Sequence, residues 1–214
     1  MQIIHSMYSP ANAEEHQDQP NLLCKPLPGM KQEEILFCYK RISFRSLCLP
    51  GDIPLIYQWV NQSYARRYWQ MDGTKKQLLD TYKIVLAHRQ AHSFIGTFED
   101  QVVCQVDLYN VAIDELAEHV EVSPGSCGLH ILMLPPSQSS KGLTTAMLKA
   151  LIRFYFSFGA AQTLYGEPDA RNTGANVSAK AAGFTFLRPI TLSYKTANLY
   201  SITKQQFHAT YPIL

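Results

Sequence analysis

The sequence is short of charge. Only 17% of its 214 residues are Asp, Glu, Lys or Arg, and 19 basic residues against 17 acidic ones leave a formal net charge of +2. That excess is far below what non-specific nucleic-acid binding draws on, so nucleic acid is not an expected partner. Long hydrophobic runs are missing too. The longest, Ala146 to Ala161, is interrupted by Lys149 and Arg153 and falls short of the roughly 20 residues of a membrane span. Met1 to Tyr8 has no basic start ahead of an apolar stretch, so neither a secretory signal nor a membrane partner is expected and the reading is cytoplasmic. The five cysteines, Cys24, Cys38, Cys48, Cys104 and Cys127, are scattered, with no C-x-x-C pair and no histidine spacing. They read as reduced thiols, and no metal site is expected.

What is present is a folding chain. Hydrophobic residues make up 46% and aromatics 11%, which excludes disorder of the whole chain, and the length suits one domain plus a tail. Residues 1–32 are polar and punctuated by proline, without sustained periodicity. They are expected to form an N-terminal extension to a domain over 33–214.

Within that domain, alternation over Glu34 to Leu49 predicts two short strands or a bent one. Asp52 and Pro54 open a short helix carrying Ile56, Trp59 and Val60 on one face, and Thr74 caps a second carrying Leu78, Tyr82 and Val85. Ser93–Phe98 and Val102–Tyr109 flank Glu99-Asp100-Gln101 as a hairpin, and Gly128–Leu134 is a buried strand stopped by Pro135-Pro136. An apolar helix over Leu143–Phe156, a strand over Thr163–Glu167, a helix over Asn172–Ala182 and a final strand pair complete the order. This succession predicts an α/β fold, a mixed central β-sheet with helices on both faces.

The stretch from Gly128 to Met147 joins a buried strand, a polar turn and a helix. Helix amino termini carry free N–H groups and the positive end of the macrodipole, so amides around Lys141, Gly142, Leu143, Thr144 and Thr145 would cradle a pyrophosphate. Taken alone, the same stretch also reads as an ordinary capped loop. In its wider setting it resembles the GNAT acyltransferase superfamily, whose pyrophosphate loop R/Q-x-x-G-x-G/A is met here by Ser139, Gly142 and Thr144, of which only the glycine matches. Asn172-x-x-Ala175 and Gly183-Phe184 match two further elements of that superfamily. Ala179 stands where many members carry a tyrosine acid.

A narrower resemblance runs from Ile42 to Phe207. Asp107-x-Tyr109, Gly128-x-His130, Glu167-Pro168-Asp169-x-x-Asn172 and Lys195-x-Ala197-x-Leu199 are similar to the siderophore-biosynthesis branch, which includes hydroxylysine acetyltransferases and mycobactin-type lysine acyltransferases. The resemblance implies a GNAT fold and catalytic residues His130 and Asp169 facing each other, with Asp169 orienting the imidazole or the substrate. It also implies a pantetheine track along the amides of Ile131, Leu132 and Met133, with Asn172 beside the acyl-CoA. Acetyl-CoA is the implied cosubstrate, with succinyl-CoA or another acyl-CoA open. Trp69, Asp107, Tyr109 and Glu167 are the candidate acceptor-binding residues.

The activity so implied is transfer of an acyl group from CoA to an N-hydroxylated lysine or diamine, giving a hydroxamate in a ternary complex, by a monomer or homodimer. An N-hydroxyamine is a weak base and a good nucleophile. It needs orientation, an acceptor for its proton and a donor for the oxyanion. Two rivals stand beside this reading: an aminoglycoside 6'-N-acetyltransferase, and a non-catalytic acyl-CoA-binding protein suggested by the degraded glycine loop.

Overall fold

The computed structural model describes residues 35–88 and 90–211. The expected extension over 1–32 lies outside the described residues. Strands β1 (Ile35–Tyr39) and β2 (Ile42–Ser46) form the first hairpin. Helices α1 (Ile53–Val60), α2 (Ser63–Tyr68) and α3 (Lys75–Ala87) follow. Then come β3 (Ala91–Phe98), β4 (Gln101–Asn110) and β5 (Ser126–Met133), followed by α4 (Leu143–Ser157) and β6 (Thr163–Gly166). The chain closes with α5 (Thr173–Ala181), β7 (Thr185–Leu192), β8 (Lys195–Thr203) and α6 (Lys204–Thr210).

All eight strands among the described residues share one sheet, ordered β1-β2-β3-β4-β5-β6-β8-β7. Every neighbouring pair is antiparallel except β5 and β6, which α4 joins as a crossover. The β3–β4 turn consists of Glu99 and Asp100, both at positive φ, as the twist of a two-residue hairpin demands. Helix α4 is apolar on most of its surface because it lies on the sheet: Phe154 stacks on Phe44 and meets Phe94 edge-on. The predicted Thr74 cap is a full capping box with Gln77.

Three local expectations change. Asp52 stands at the N-cap of α1 without capping it; its carboxylate accepts instead from Arg45 at 2.6 and 2.7 Å and from the Cys48 amide. Helices α2 and α6 are too short to show a period and were not anticipated. Histidines 88, 92, 119 and 208 show no ligand spacing in the sequence and read there as exposed, but all are partly buried. His92 bonds Ser46 and packs on Phe94, and burial pushes its imidazole down to about 4. His5 and His16 lie outside the described residues.

The decisive feature is where the sheet opens. Parallel pairing of β5 with β6 runs from Ser126–Thr163 only to Leu129–Gly166, while β5 stays paired with β4 through Met133. Beyond Gly166 the chain leaves β5 and follows β8. Asn198 donates to Pro168 O, Ala170 to Thr196 O, and Asp169 bridges Ala197. A gap therefore opens between two central strands, with α4 starting at its mouth.

Candidate active site

The gap is lined from β5 by Leu129, His130 and Ile131, from the β6 extension by Gly166 to Asp169, and from α4 by Thr144 and Leu148. Asn172, Ala175 and Ala179 close it from the α5 side, Phe184, Lys195 and Tyr200 from the β7–β8 side, and Tyr68 and Trp69 from α2. The two edges of β5 take different parts. Leu134 N donates to Val103 O of β4, so strand alternation turns the Leu132 amide the same way and leaves those of Ile131 and Met133 toward the gap. Of the three expected pantetheine amides, Leu132 is thus engaged with the sheet. The Met133 carbonyl, on the open side, accepts from Tyr64 OH at 2.7 Å.

His130 lies beneath the gap, 8% exposed. Its partner is Glu167, with Nε2 and Oε1 2.6 Å apart, and this corrects the expected pairing with Asp169. The Asp169 carboxylate lines the gap but accepts from the amide and guanidinium of Arg171. Lys195 Nζ reaches the same Glu167 oxygen at 3.3 Å and is itself buried. Burial alone would push the Glu167 carboxyl up; the Lys195 charge, with hydrogen bonds from His130 and Lys195, outweighs it and holds the group at about 2. Glu167 is therefore an acceptor only, so Nε2 carries the proton it donates. Nδ1 is left as the acceptor of the neutral ring.

The ring is fixed from two sides. Tyr109 packs on it with centroids 5.0 Å apart, and Trp69 meets it edge-on at 6.0 Å. Trp69 Nε1 is buried without a partner. Asp107, opposite His130 across the β4–β5 ladder, does not line the gap. Ser93 and Gln105 donate to its carboxylate inside the sheet, and burial pushes its carboxyl up. Its expected contact with an acceptor therefore gives way to a place behind the histidine.

At the mouth, Gly142 adopts the left-handed conformation, φ +84°, directly before α4, and a Cβ there would meet nothing within 4 Å. That open approach, with first-turn amides that have no intrahelical acceptor, fits a pyrophosphate. Thr144 faces the gap, Leu143 turns inward, and Lys141 and Thr145 lie outside the lining. Asn172 caps α5 by accepting from the Ala175 amide.

Two residues escaped the sequence reading. Asn176 donates to the Asp169 and Asn172 carbonyls and accepts from Asn198 and Tyr200, tying the loop to β8. Lys195 was visible only as the first residue of K-x-A-x-L, with no signal of its partner.

A sheet parted between parallel strands, with free helix amides above the gap and a buried imidazole–carboxylate pair below, is a framework for group transfer from an extended anionic donor. The sequence matches the acetyltransferase (GNAT) domain over residues 49–192, and the chain belongs to the GNAT acetyltransferase family, as an acyltransferase. It is 25% identical over 169 residues to an N-hydroxyputrescine acetyltransferase of Acinetobacter baumannii, covering 78% of this chain and 79% of that one. It is 23% identical over 155 residues to a lysine N-acyltransferase of a Mycobacterium species, covering 72% and 64% respectively. A crystal structure of the aminoglycoside acetyltransferase AAC(6')-Ib with coenzyme A shares the fold, with a TM-score of 0.72 at 22% identity, covering 79% of this chain and 98% of that one. Among the described residues, no helix is long and apolar enough to cross a membrane and no cluster of metal-ligating side chains occurs.

Proposed function

We propose that the protein transfers an acyl group from acyl-CoA, acetyl-CoA in the first place, to the hydroxylated nitrogen of an N-hydroxyamine, making a hydroxamate for siderophore assembly. The observation that carries this reading is His130, held in one tautomer by Glu167 and walled by Tyr109 and Trp69. Similarity to an N-hydroxyputrescine acetyltransferase and a lysine N-acyltransferase supports the acceptor class.

The chemistry follows from these groups. The CoA pyrophosphate sits against Gly142 and the first turn of α4, and the pantetheine runs along the free edge of β5. The acceptor nitrogen, unprotonated at neutral pH, attacks the thioester carbonyl. The Ile131 or Met133 amide donates to the developing oxyanion. His130 Nδ1 takes the proton shed by nitrogen, the carbon–sulfur bond breaks, and the imidazolium, steadied by Glu167, returns the proton to the departing thiolate. With Ala179 in place of a tyrosine, no phenol is needed at that position for the step.

A panel of acyl-CoA donors and amine acceptors, read by mass spectrometry, tests the reading. Hydroxamate formation on N-hydroxyamines in preference to kanamycin-type aminoglycosides is expected. Preferred aminoglycoside acetylation, or no transfer to any hydroxylamine, overturns it.

A further inference from the structure

The gap has two sides, and proton transfer uses one of them. Phe94 packs edge-on against Phe154 of α4, and the ladder sets Phe94 opposite Val106 and Val106 opposite Ile131. Ile131 and, two residues away, Leu129 therefore face the helices, while His130 between them faces away. Gly166 of β6 stands in register with Leu129, and Tyr200 of β8 with Gly166, so both face the helices as well.

On that side the lining is small and apolar. Ala175 and Ala179 lie one turn apart on α5 and, with Leu148 of α4, close a slot over Leu129, Gly166 and Tyr200. Space is left where a side chain is missing: a Cβ on Gly166 would meet nothing within 4 Å. Of these side chains Tyr200 alone is polar, and its hydroxyl donates to Asn176. Among the described residues lining the gap, Lys195 is the one amine, and it is committed to Glu167; the other charges there, Glu167 and Asp169, are carboxylates.

We propose that this slot receives the acyl chain of the donor, so that acetyl-CoA underfills the site, a neutral unbranched donor such as butyryl-CoA fills it, and succinyl-CoA is rejected. This inference rests on acyl transfer from CoA and narrows the donor. A donor that enters at Gly142 and runs down the free edge of β5 brings its thioester to Ile131. Pairing of Leu129 with Gly166 closes the way onward between the strands, and the opposite side is taken by His130, Glu167 and the acceptor. The chain turns toward α5, where one helical turn gives it about 6 Å of apolar wall. Each methylene buried there is worth about fourfold in affinity. A succinyl carboxylate would be buried without a free cation, near two groups of its own sign. Ala179 is thereby a specificity-determining residue for the donor, since a larger side chain at that position occupies the slot.

Calorimetry of the full chain with acetyl-, butyryl- and succinyl-CoA, without acceptor, reads the slot directly. Butyryl-CoA is expected to bind about tenfold more tightly than acetyl-CoA, and succinyl-CoA about tenfold or more weakly than butyryl-CoA. Ala179→Leu is expected to remove the butyryl advantage. Gly166→Ala, whose added methyl meets open space, should reduce it, and a cooperative melt of each variant verifies folding. With N-hydroxyputrescine as acceptor and the hydroxamate followed by mass spectrometry, the donor KM values should fall in the same order. Acetyl-CoA or succinyl-CoA bound as tightly as butyryl-CoA, or a butyryl advantage untouched in both variants, overturns the inference and leaves the proposed function standing. The expected order of affinities without hydroxamate formation overturns the proposed function and leaves the slot standing. Absence of binding to all three donors overturns both.

Discussion

Tyr109 and Gly128 face each other across the β4–β5 ladder, and the Tyr109 ring occupies the space a side chain on Gly128 would need: a Cβ there would lie 2.1 Å from Tyr109 Cζ. The ring lying over the glycine is the one packed on His130 two residues further along β5. The glycine of G-x-H is thus a packing requirement of the histidine, enforced through a tyrosine.

Gly128→Ala must displace Tyr109 or bend β5. Overpacking of this kind costs about 1–3 kcal/mol, and a lower melting temperature is expected together with a fall in kcat, since His130 loses one wall. An unchanged kcat in a folded variant would show that the tyrosine does not position the imidazole.

His130→Ala removes the proton acceptor and leaves the pyrophosphate end intact. A drop in kcat of about 10²–10⁴-fold is expected, with acyl-CoA affinity, measured by calorimetry, essentially that of the unaltered protein. Retained turnover would remove His130 from the chemistry.

Glu167 and Asp114 predict opposite pH responses. The Glu167 carboxyl is held at about 2, below the unfolded value, so its contribution is fully present above pH ~4.5 and lost as pH falls toward 2. Burial and the charge of Glu167 push Asp114 up to about 6, so its ionisation opposes folding as pH rises from ~4 through 6. Denaturant melts of Glu167→Gln should show a loss of about 3–5 kcal/mol near neutrality, because Lys195 is left buried without its partner, and a flatter acid limb. Asp114→Asn should be more stable than the parent protein at pH 8, by on the order of 1–3 kcal/mol, with no gain at pH 4. A destabilised Asp114→Asn at pH 8 would contradict the unpaired charge.

Gly142→Ala places a Cβ in open space on a left-handed residue. Strain of about 1–2 kcal/mol is expected, along with a higher KM for acyl-CoA and little change in acceptor KM, since the acceptor end lies elsewhere. A KM change confined to the acceptor would refute the pyrophosphate assignment.

Much of this molecule is legible along the chain. Alternation marked β1 and β2, a hairpin turn marked β3 and β4, Thr74 marked the start of α3, and G-x-H with E-P-D marked the strand ends of the candidate site. Such features depend on neighbours a few residues apart, which is the range over which periodicity and capping act. Asp169 was expected to face the imidazole, and the partner in the structure is Glu167. Glu167 and Asp169 are both present in E-P-D, and the choice is made where β6 turns from β5 to follow β8, leaving Asp169 to the nearby Arg171. Lys195 reaches Glu167 only through that strand's position against the β6 extension. The loop that carries Asp114 is pinned to the β7–β8 hairpin by Glu115–Ser193 and Arg188–His119 contacts. Local sequence determined the elements and the residue types available for chemistry. Long-range pairing decided which of those charges are buried together, because the energies that settle the matter arise between groups up to 78 residues apart.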